Sequence, residues 1–406
     1  MGRIGLPLAV SFAGKGTSVI GVEKRRDILD KLQDGKSPFF ESGLQTALEN
    51  TLRSGKLCFS SDRDFNFKMC QVIIIAVGTP LKENLLPDMS LILDVTTKVA
   101  KNAADESIII LRSTIVPGIT ENLITPQIKK INETLNIAIC PERIVEGKAM
   151  EEVEVLPEII GVQDNRTGEI VKELFSVLGS KQVEITSTKT AEAAKIFANV
   201  YRYVNFALAN EFALISENLK IDSTEAIKLA NKGYPRSNIP LPGPAAGPCL
   251  RKDGLFLSNK SSVNLIKVAW LLNESIPLHI IETIEEKYGS VYERKVGVLG
   301  KAYKADVDDT RDSPALKIIE ELEAKGAAVF SYDPYTQNSS KLEEALECEI
   351  VILAVNHSVF NTLTVEMLSH SKVVYDVWGQ LCGLDLLSRG IIYLSLGKGN
   401  NVFAKS

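Results

Sequence analysis

The chain has no apolar run approaching the roughly 18 residues a membrane-spanning helix needs. Its opening, Met1-Gly2-Arg3-Ile4-Gly5-Leu6-Pro7, lacks the cationic and apolar regions of a signal peptide. No membrane partner is expected. The six cysteines, at 58, 70, 140, 249, 348 and 382, show no C-x-x-C spacing. That argues against a zinc ribbon and a disulfide scaffold, so no metal is expected and a reducing cytoplasm suits the chain best. The three histidines, 279, 357 and 370, stand isolated and receive no ligand or acid/base role. Net charge is -5, which gives no general attraction to nucleic acid. What remains is ordinary for a soluble globular protein: 406 residues, 45% hydrophobic and 24% charged, enough for two or three domains with sizeable cores. Small-molecule chemistry is the expected business of such a chain.

Gly2-x-x-Gly5 opens an apolar stretch to Ala13, followed by the strand-like Thr17–Val22 and then Glu23. In a dinucleotide fingerprint, glycines let the backbone and a helix N-terminus approach a pyrophosphate, and an acidic residue about 20 further on accepts ribose hydroxyls. The first glycine of that pattern and the strand leading into it are missing, so neighbouring strands are expected to lack a central partner, through a misassigned or truncated start. Strand-like runs at 71–77, 107–112 and 136–140 end in Gly78-Thr79-Pro80, Ser113-Thr114 and Pro141-Glu142-Arg143. Ligands sit at the carboxyl ends of strands in open α/β sheets, so these polar endings point to a site.

From about Thr190 to Leu219 nothing interrupts a helix, and its apolar residues occur nearly all round. Such a helix would be longer than one domain core requires, so it is expected to pack against a second subunit. Glu192, Lys195, Asn199 and Arg202 follow at intervals of three, four and three, along one face. Lys195 and Asn199 could serve a developing oxyanion. The small-residue loop Gly243-Pro244-Ala245-Ala246-Gly247-Pro248 then presents Cys249, with Lys252-Asp253 one turn later. A small-residue loop lets the backbone approach a ligand while the sulfur faces it, with Asp253 as a partner, which is the arrangement of a nucleophile. A helical stretch from 266 to 287 is expected to break or kink at Pro277. Strand and glycine turn recur at Arg294–Gly300, with Lys304, Arg311 and a further strand ending in Asp333. This second α/β region echoes the first, and its basic residues suit a diphosphate.

In order and spacing these motifs resemble the UDP-glucose/GDP-mannose dehydrogenase family over essentially the whole chain. The resemblance rests on Gly2-Arg3-Ile4-Gly5-Leu6-Pro7, Val77-Gly78-Thr79-Pro80, Ser113-Thr114, Pro141-Glu142-Arg143, Ala191-Glu192-Ala193-Ala194-Lys195, Gly247-Pro248-Cys249-Leu250-x-Lys252-Asp253 and Lys304 through Ser313-Pro314. It implies two Rossmann-like doubly wound domains, 1–186 for NAD and 291–406 for the UDP group. Between them, 187–290 would be a helical dimerisation domain carrying the cysteine loop and one long helix. It also implies oxidation of a sugar C6 alcohol to a carboxylate with two NAD, through a thiohemiacetal and thioester on Cys249. By the same resemblance Lys195 and Asn199 stabilise the oxyanion, Asp253 orients water or acts as base, Glu142 assists thioester hydrolysis and Thr114 holds water. A free thiol titrates near 8.5, so nearby cations are expected to activate Cys249. Cofactor contacts fall to Gly2, Arg3, Ile4, Gly5, Glu23, Thr79, Thr114, Glu146 and Arg311, the acidic Glu23 favouring NAD over NADP.

Substrate contacts implied by the family are Glu142, Arg143, Ile144, Lys195, Asn199, Arg202, Arg236, Gly243, Tyr303 and Lys304. Arg143, Arg202 and Tyr234-Pro235-Arg236 resemble the branch acting on UDP-N-acetylhexosamines such as UDP-N-acetylmannosamine. UDP-N-acetylglucosamine and UDP-glucose remain as alternatives, as do a two-electron hydroxyacid dehydrogenase and a non-catalytic nucleotide-sugar binder. In Gly243-Pro244-Ala245-Ala246-Gly247-Pro248, Ala and Pro stand where the family commonly has glycines, narrowing the loop's freedom.

Overall fold

The computed structural model describes residues 1–63, 65–179, 181–245, 247–257 and 265–399. Ala246 of the cysteine loop lies outside them. The chain divides into two compact units, Met1–Ala198 and Asn199–Ser406.

In the first unit, helix Gly5–Gly14 is followed by strands β1 (Val19–Glu23) and β2 (Leu57–Ser61), which pair in parallel as a two-stranded sheet. A second sheet runs in the order β3 (Val72–Ile75), β4 (Ile108–Leu111), β5 (Asn136–Ile139), β6 (Glu158–Val162), β7 (Val183–Ser187). Its pairs are parallel except β5 with β6. The near-continuous isoleucine runs explain why these segments are strands: branched side chains suit a pleated sheet buried on both faces. Side-chain alternation divides the two faces between two cores. Ile73, Ile75, Ile109, Leu111, Ile137 and Ile139 enter one, and Ile108, Ile110, Ala138, Ile160 and Val162 enter the other. Strands β2, β6 and β7 carry weaker patterns and were not anticipated from sequence. Gly161 on β6 is a close-approach glycine, since a Cβ there would lie 2.8 Å from the Thr188 backbone. The start of the long helix therefore rests directly on the sheet.

That helix spans Thr188–Leu219, two residues earlier than the sequence pattern indicates. In the second unit, helix Leu265–Tyr288 runs without interruption through Pro277, contrary to the expected break. Proline removes one helical hydrogen bond and crowds the preceding turn, at about 3 kcal/mol. Here Ile276, Pro277, Ile280, Ile281 and Ile284 are buried, and their packing offsets that cost. The sheet of this unit is wholly parallel, in the order β12 (Ile392–Leu394), β11 (Val373–Asp376), β10 (Ile350–Leu353), β8 (Lys295–Leu299), β9 (Ala328–Tyr332). Strand order reverses between β8 and β10, and Gly300 at that switch point has φ +93. Each unit is thus Rossmann-like.

Candidate active site

In the second unit Cys249 is exposed and precedes a single helical turn, Leu250–Asp253, whose Asp253 N–H donates to the Cys249 carbonyl at 3.0 Å. Asp253 is fully buried and accepts Asn199 Nδ2 at 2.7 Å and Lys252 Nζ at 3.2 Å. A buried carboxylate needs such donors, and here they fix the cysteine turn to the long helix. Asn199 is thereby brought to the turn that bears the thiol. At the loop's other end Gly243 donates its N–H to Asn210 Oδ1 at 2.8 Å. Gly247, at φ +97, lies against Tyr303, whose ring would be 2.7 Å from a Cβ. Only glycine accommodates both demands.

Arg251 was not anticipated. Its guanidinium forks onto Glu274 at 2.9 Å through both Nε and Nη2, and Nη1 reaches Asp312 Oδ1 at 3.0 Å. Burial alone would raise the Glu274 carboxyl, but Arg251 and Lys317 hold it below the ordinary range. Tyr303 donates its backbone N–H to the Asp309 carbonyl at 2.9 Å, and the Lys304 ammonium lies 6.0 Å from the Tyr303 ring centre. Arg311 is exposed and forks onto the buried Asp309 at 2.6 to 3.0 Å. Arg236 stacks on Tyr234 at 4.6 Å and is also exposed. Arg202 is exposed, whereas Glu192, Lys195 and Asn199 on the same polar face are buried, so that face is not simply a solvated stripe.

The glycine turn after β8 is closed internally. Asp333 Oδ2 accepts the N–H groups of Lys301 and Ala302 at 2.6 and 2.9 Å, and Oδ1 accepts those of Tyr335 and Thr336 at 2.9 and 3.2 Å. His357, fully buried, accepts Asp306 N–H on Nδ1 at 2.9 Å, which leaves its Nε2 hydrogen for Asp333 at 3.0 Å. Burial would raise the Asp333 carboxyl, yet His357 and the two turn amides bring it down to about 2. Isolation in the sequence concealed His357, because its partners come from other segments.

In the first unit, Ser113 Oγ donates to the Val77 carbonyl at 2.6 Å and Thr79 Oγ1 to that of Thr114 at 2.8 Å. Two polar strand ends are thus tied together, with Thr114 partly exposed. Glu142 is buried. Its Oε1 accepts the N–H groups of Arg143 and Ile144 at 2.7 and 3.0 Å, and Oε2 pairs with Arg112. Burial would raise this carboxyl, but Arg112 and those amides hold it below the ordinary range. Arg112 also pairs with Glu158 at 2.5 Å, and Glu158 with Lys181 at 3.1 Å. That four-residue charge network joins residues far apart in sequence, and no spacing signals it. The Arg143 guanidinium donates to the Pro157 carbonyl. Glu192 accepts Gly118 and Thr120 N–H at 2.6 and 3.0 Å, and burial raises its carboxyl.

NAD suits the first unit. Ile4 enters helix Gly5–Gly14 without a side-chain cap, so the helix dipole and first-turn amides favour an anionic group there. Glu23 ends β1 and accepts Arg25 N–H at 2.8 Å and the Met1 amino group. Partial burial would raise Glu23, but these donors lower it and keep the carboxylate anionic. Arg3 pairs with Glu146 and lies 5.0 Å from the Phe39 ring centre, so two of the expected cofactor contacts stand together.

Residues 1–178 match the NAD binding domain of the UDP-glucose/GDP-mannose dehydrogenase family, residues 189–275 its central domain and residues 297–382 its UDP binding domain. The UDP-N-acetyl-D-mannosamine dehydrogenase of Pyrococcus horikoshii is 33% identical over 98% of this chain and 98% of its own. The solved structure of the UDP-D-ManNAc dehydrogenase from Pyrococcus horikoshii is similar with a TM-score of 0.92 and 31% identity, covering 98% of each chain. That of the UDP-N-acetyl-mannosamine dehydrogenase from Staphylococcus aureus gives a TM-score of 0.86 and 31% identity, covering 98% of this chain and 96% of that one. On these matches along its length, the chain belongs to the UDP-glucose/GDP-mannose dehydrogenase family.

Proposed function

We propose that the chain is a nucleotide-sugar 6-dehydrogenase that converts UDP-N-acetyl-D-mannosamine to UDP-N-acetyl-D-mannosaminuronate. The observation that carries this reading is the exposed Cys249 on a turn locked by the buried Asp253–Asn199 pair. An aldehyde yields a hydride only after a nucleophile or water has added to it, and an exposed thiol supplies that nucleophile. NAD, when bound, takes one hydride in each oxidation. Lys195 and Asn199 stabilise the negative oxygen that develops at C6, first as alkoxide and later as tetrahedral oxyanion. Cys249 adds through sulfur to the aldehyde carbon, giving a thiohemiacetal, and loss of the second hydride leaves a thioester. Water, oriented by Asp253 and Thr114 with Glu142 assisting, breaks the carbon–sulfur bond, releasing carboxylate and free thiol. The net change consumes one water and two NAD per sugar.

The substrate follows from the relatives' names together with Arg143, Arg202 and Arg236, which would recognise acetamido or phosphate oxygens. Gly243, Ile144, Tyr303 and Lys304 complete the substrate contacts, and Arg311 contributes to the cofactor or diphosphate side. The working division is 1–186 for NAD, 187–290 for the helical middle and 291–406 for UDP. Tyr201, Leu208, Ile215 and Leu219 are exposed at 66, 41, 45 and 63% on the long helix. Their spacing of seven, seven and four gives one apolar stripe, which supports pairing with a second copy. Among the described residues no helix is long and apolar enough to cross a membrane, and a cytoplasmic setting keeps Cys249 reduced.

The test is product identification by mass spectrometry after incubation with NAD and, separately, UDP-N-acetylmannosamine, UDP-N-acetylglucosamine or UDP-glucose. The first should become the uronate, and Cys249→Ala should abolish uronate formation. Conversion of only another sugar moves the substrate, and undiminished uronate from Cys249→Ala rules out the thioester route.

A further inference from the structure

The cysteine turn is attached to more than the long helix. Arg251 stands two residues after Cys249, on the same turn as the buried Asp253. Its fork on Glu274 ties the turn to helix Leu265–Tyr288, and its third hydrogen bond reaches Asp312. Asp312 closes the loop that carries Tyr303, Lys304 and Arg311, immediately before Ser313, the N-cap of helix Pro314–Ala324. It holds φ +52, a left-handed conformation that aspartate tolerates better than most residues. On the near side of the thiol, Gly247 N–H approaches the Asp312 carbonyl at 3.5 Å and lies against Tyr303. The segment bearing Cys249 therefore meets this loop on both sides, and both contacts converge on Asp312.

We propose that Arg251 is a positioning residue that registers the Cys249 turn against the 303–312 loop, so that a uridine diphosphate group seated on the loop sets how the thiol is presented. This rests on the reading of the chain as a nucleotide-sugar dehydrogenase. The chemical need is plain: the diphosphate is held at one place and C6 must arrive at sulfur in attack geometry, where a displacement of an ångström costs about a hundredfold. A guanidinium meets the need because its planar fork fixes both angle and distance on Glu274 while leaving an N–H for Asp312. An ammonium keeps the charge and loses the fork.

The experiment compares wild type with Arg251→Met, Arg251→Lys and Asp312→Gly. Asp312→Gly removes the acceptor of Arg251 Nη1, keeps the Glu274 fork and suits the left-handed backbone, so it tests the link even where an Arg251 variant folds poorly. UDP affinity is read by calorimetry, kcat and KM by NADH formation, and Cys249 accessibility by its iodoacetamide alkylation rate with and without saturating UDP. In wild type UDP should change the alkylation rate several-fold. Arg251→Met and Asp312→Gly should bind UDP within about threefold of wild type, lose that alkylation response, and drop kcat about tenfold or more, with Arg251→Lys between. Variants whose alkylation responds to UDP as wild type does, with kcat unchanged, overturn the inference alone. Loss of UDP affinity in step with kcat also overturns it, assigning Arg251 to binding or folding. A folded wild type that binds no UDP sinks both this inference and the functional reading beneath it.

Discussion

The two α/β units handle the acid at the end of the strand after the glycine turn in opposite ways. In the first, Glu23 takes an N–H and an amino group and remains partly exposed. In the second, Asp333 is buried and takes four backbone N–H groups and the His357 ring. Similar turn-helix-strand patterns thus yield an acid with acceptor capacity to spare and an acid whose capacity is used by the fold. On the proposed function the first would hold ribose hydroxyls; the second stiffens its own turn, so a diphosphate in that unit would depend on side chains such as Lys304 and on other backbone. A shared pattern identifies a fold, and the donors around the acid decide its job.

The most severe way to break this contrast is Asp333→Ala, which leaves buried N–H groups and His357 without their acceptor. A loss of about 4 kcal/mol in the second unit's stability is expected from denaturant unfolding. An unchanged midpoint would mean the carboxylate is not structural. A smaller effect is a pH dependence. The folded Asp333 carboxyl titrates at about 2, below its unfolded value of about 3.9. Its stabilisation is therefore complete above the unfolded value and is lost as pH falls from about 4 toward 2, amounting to roughly 2 to 3 kcal/mol. Asp333→Asn should lack that limb when unfolding is followed from pH 6 to 3. Smallest is Glu23→Ala, which should weaken NAD about tenfold by calorimetry while leaving the melting temperature nearly unchanged, the reverse of the Asp333 pattern.

Much of the fold was legible because isoleucine-rich runs between polar endings can hardly be anything but buried strands, as at β3, β4 and β5. Strand β6 was not, because Pro157-Glu158 at its start reads as a turn and its antiparallel pairing has no local signal. Within the site, Asn199 and Asp253 were legible as chemistry-bearing residues, and the fold brings them into contact. Arg112, Arg251 and His357 were not, since each owes its role to partners that lie tens of residues away. The break expected at Pro277 does not occur, because the helix around it is held by burial that no single-segment rule includes.

The claim on which the rest turns is four-electron oxidation at one cysteine. It is tested most directly by supplying limiting UDP-N-acetylmannosamine with excess NAD and following NADH absorbance to completion. Wild type should yield two NADH per sugar, and Cys249→Ala no second equivalent. One NADH per sugar from wild type, with the aldehyde as product, would contradict it.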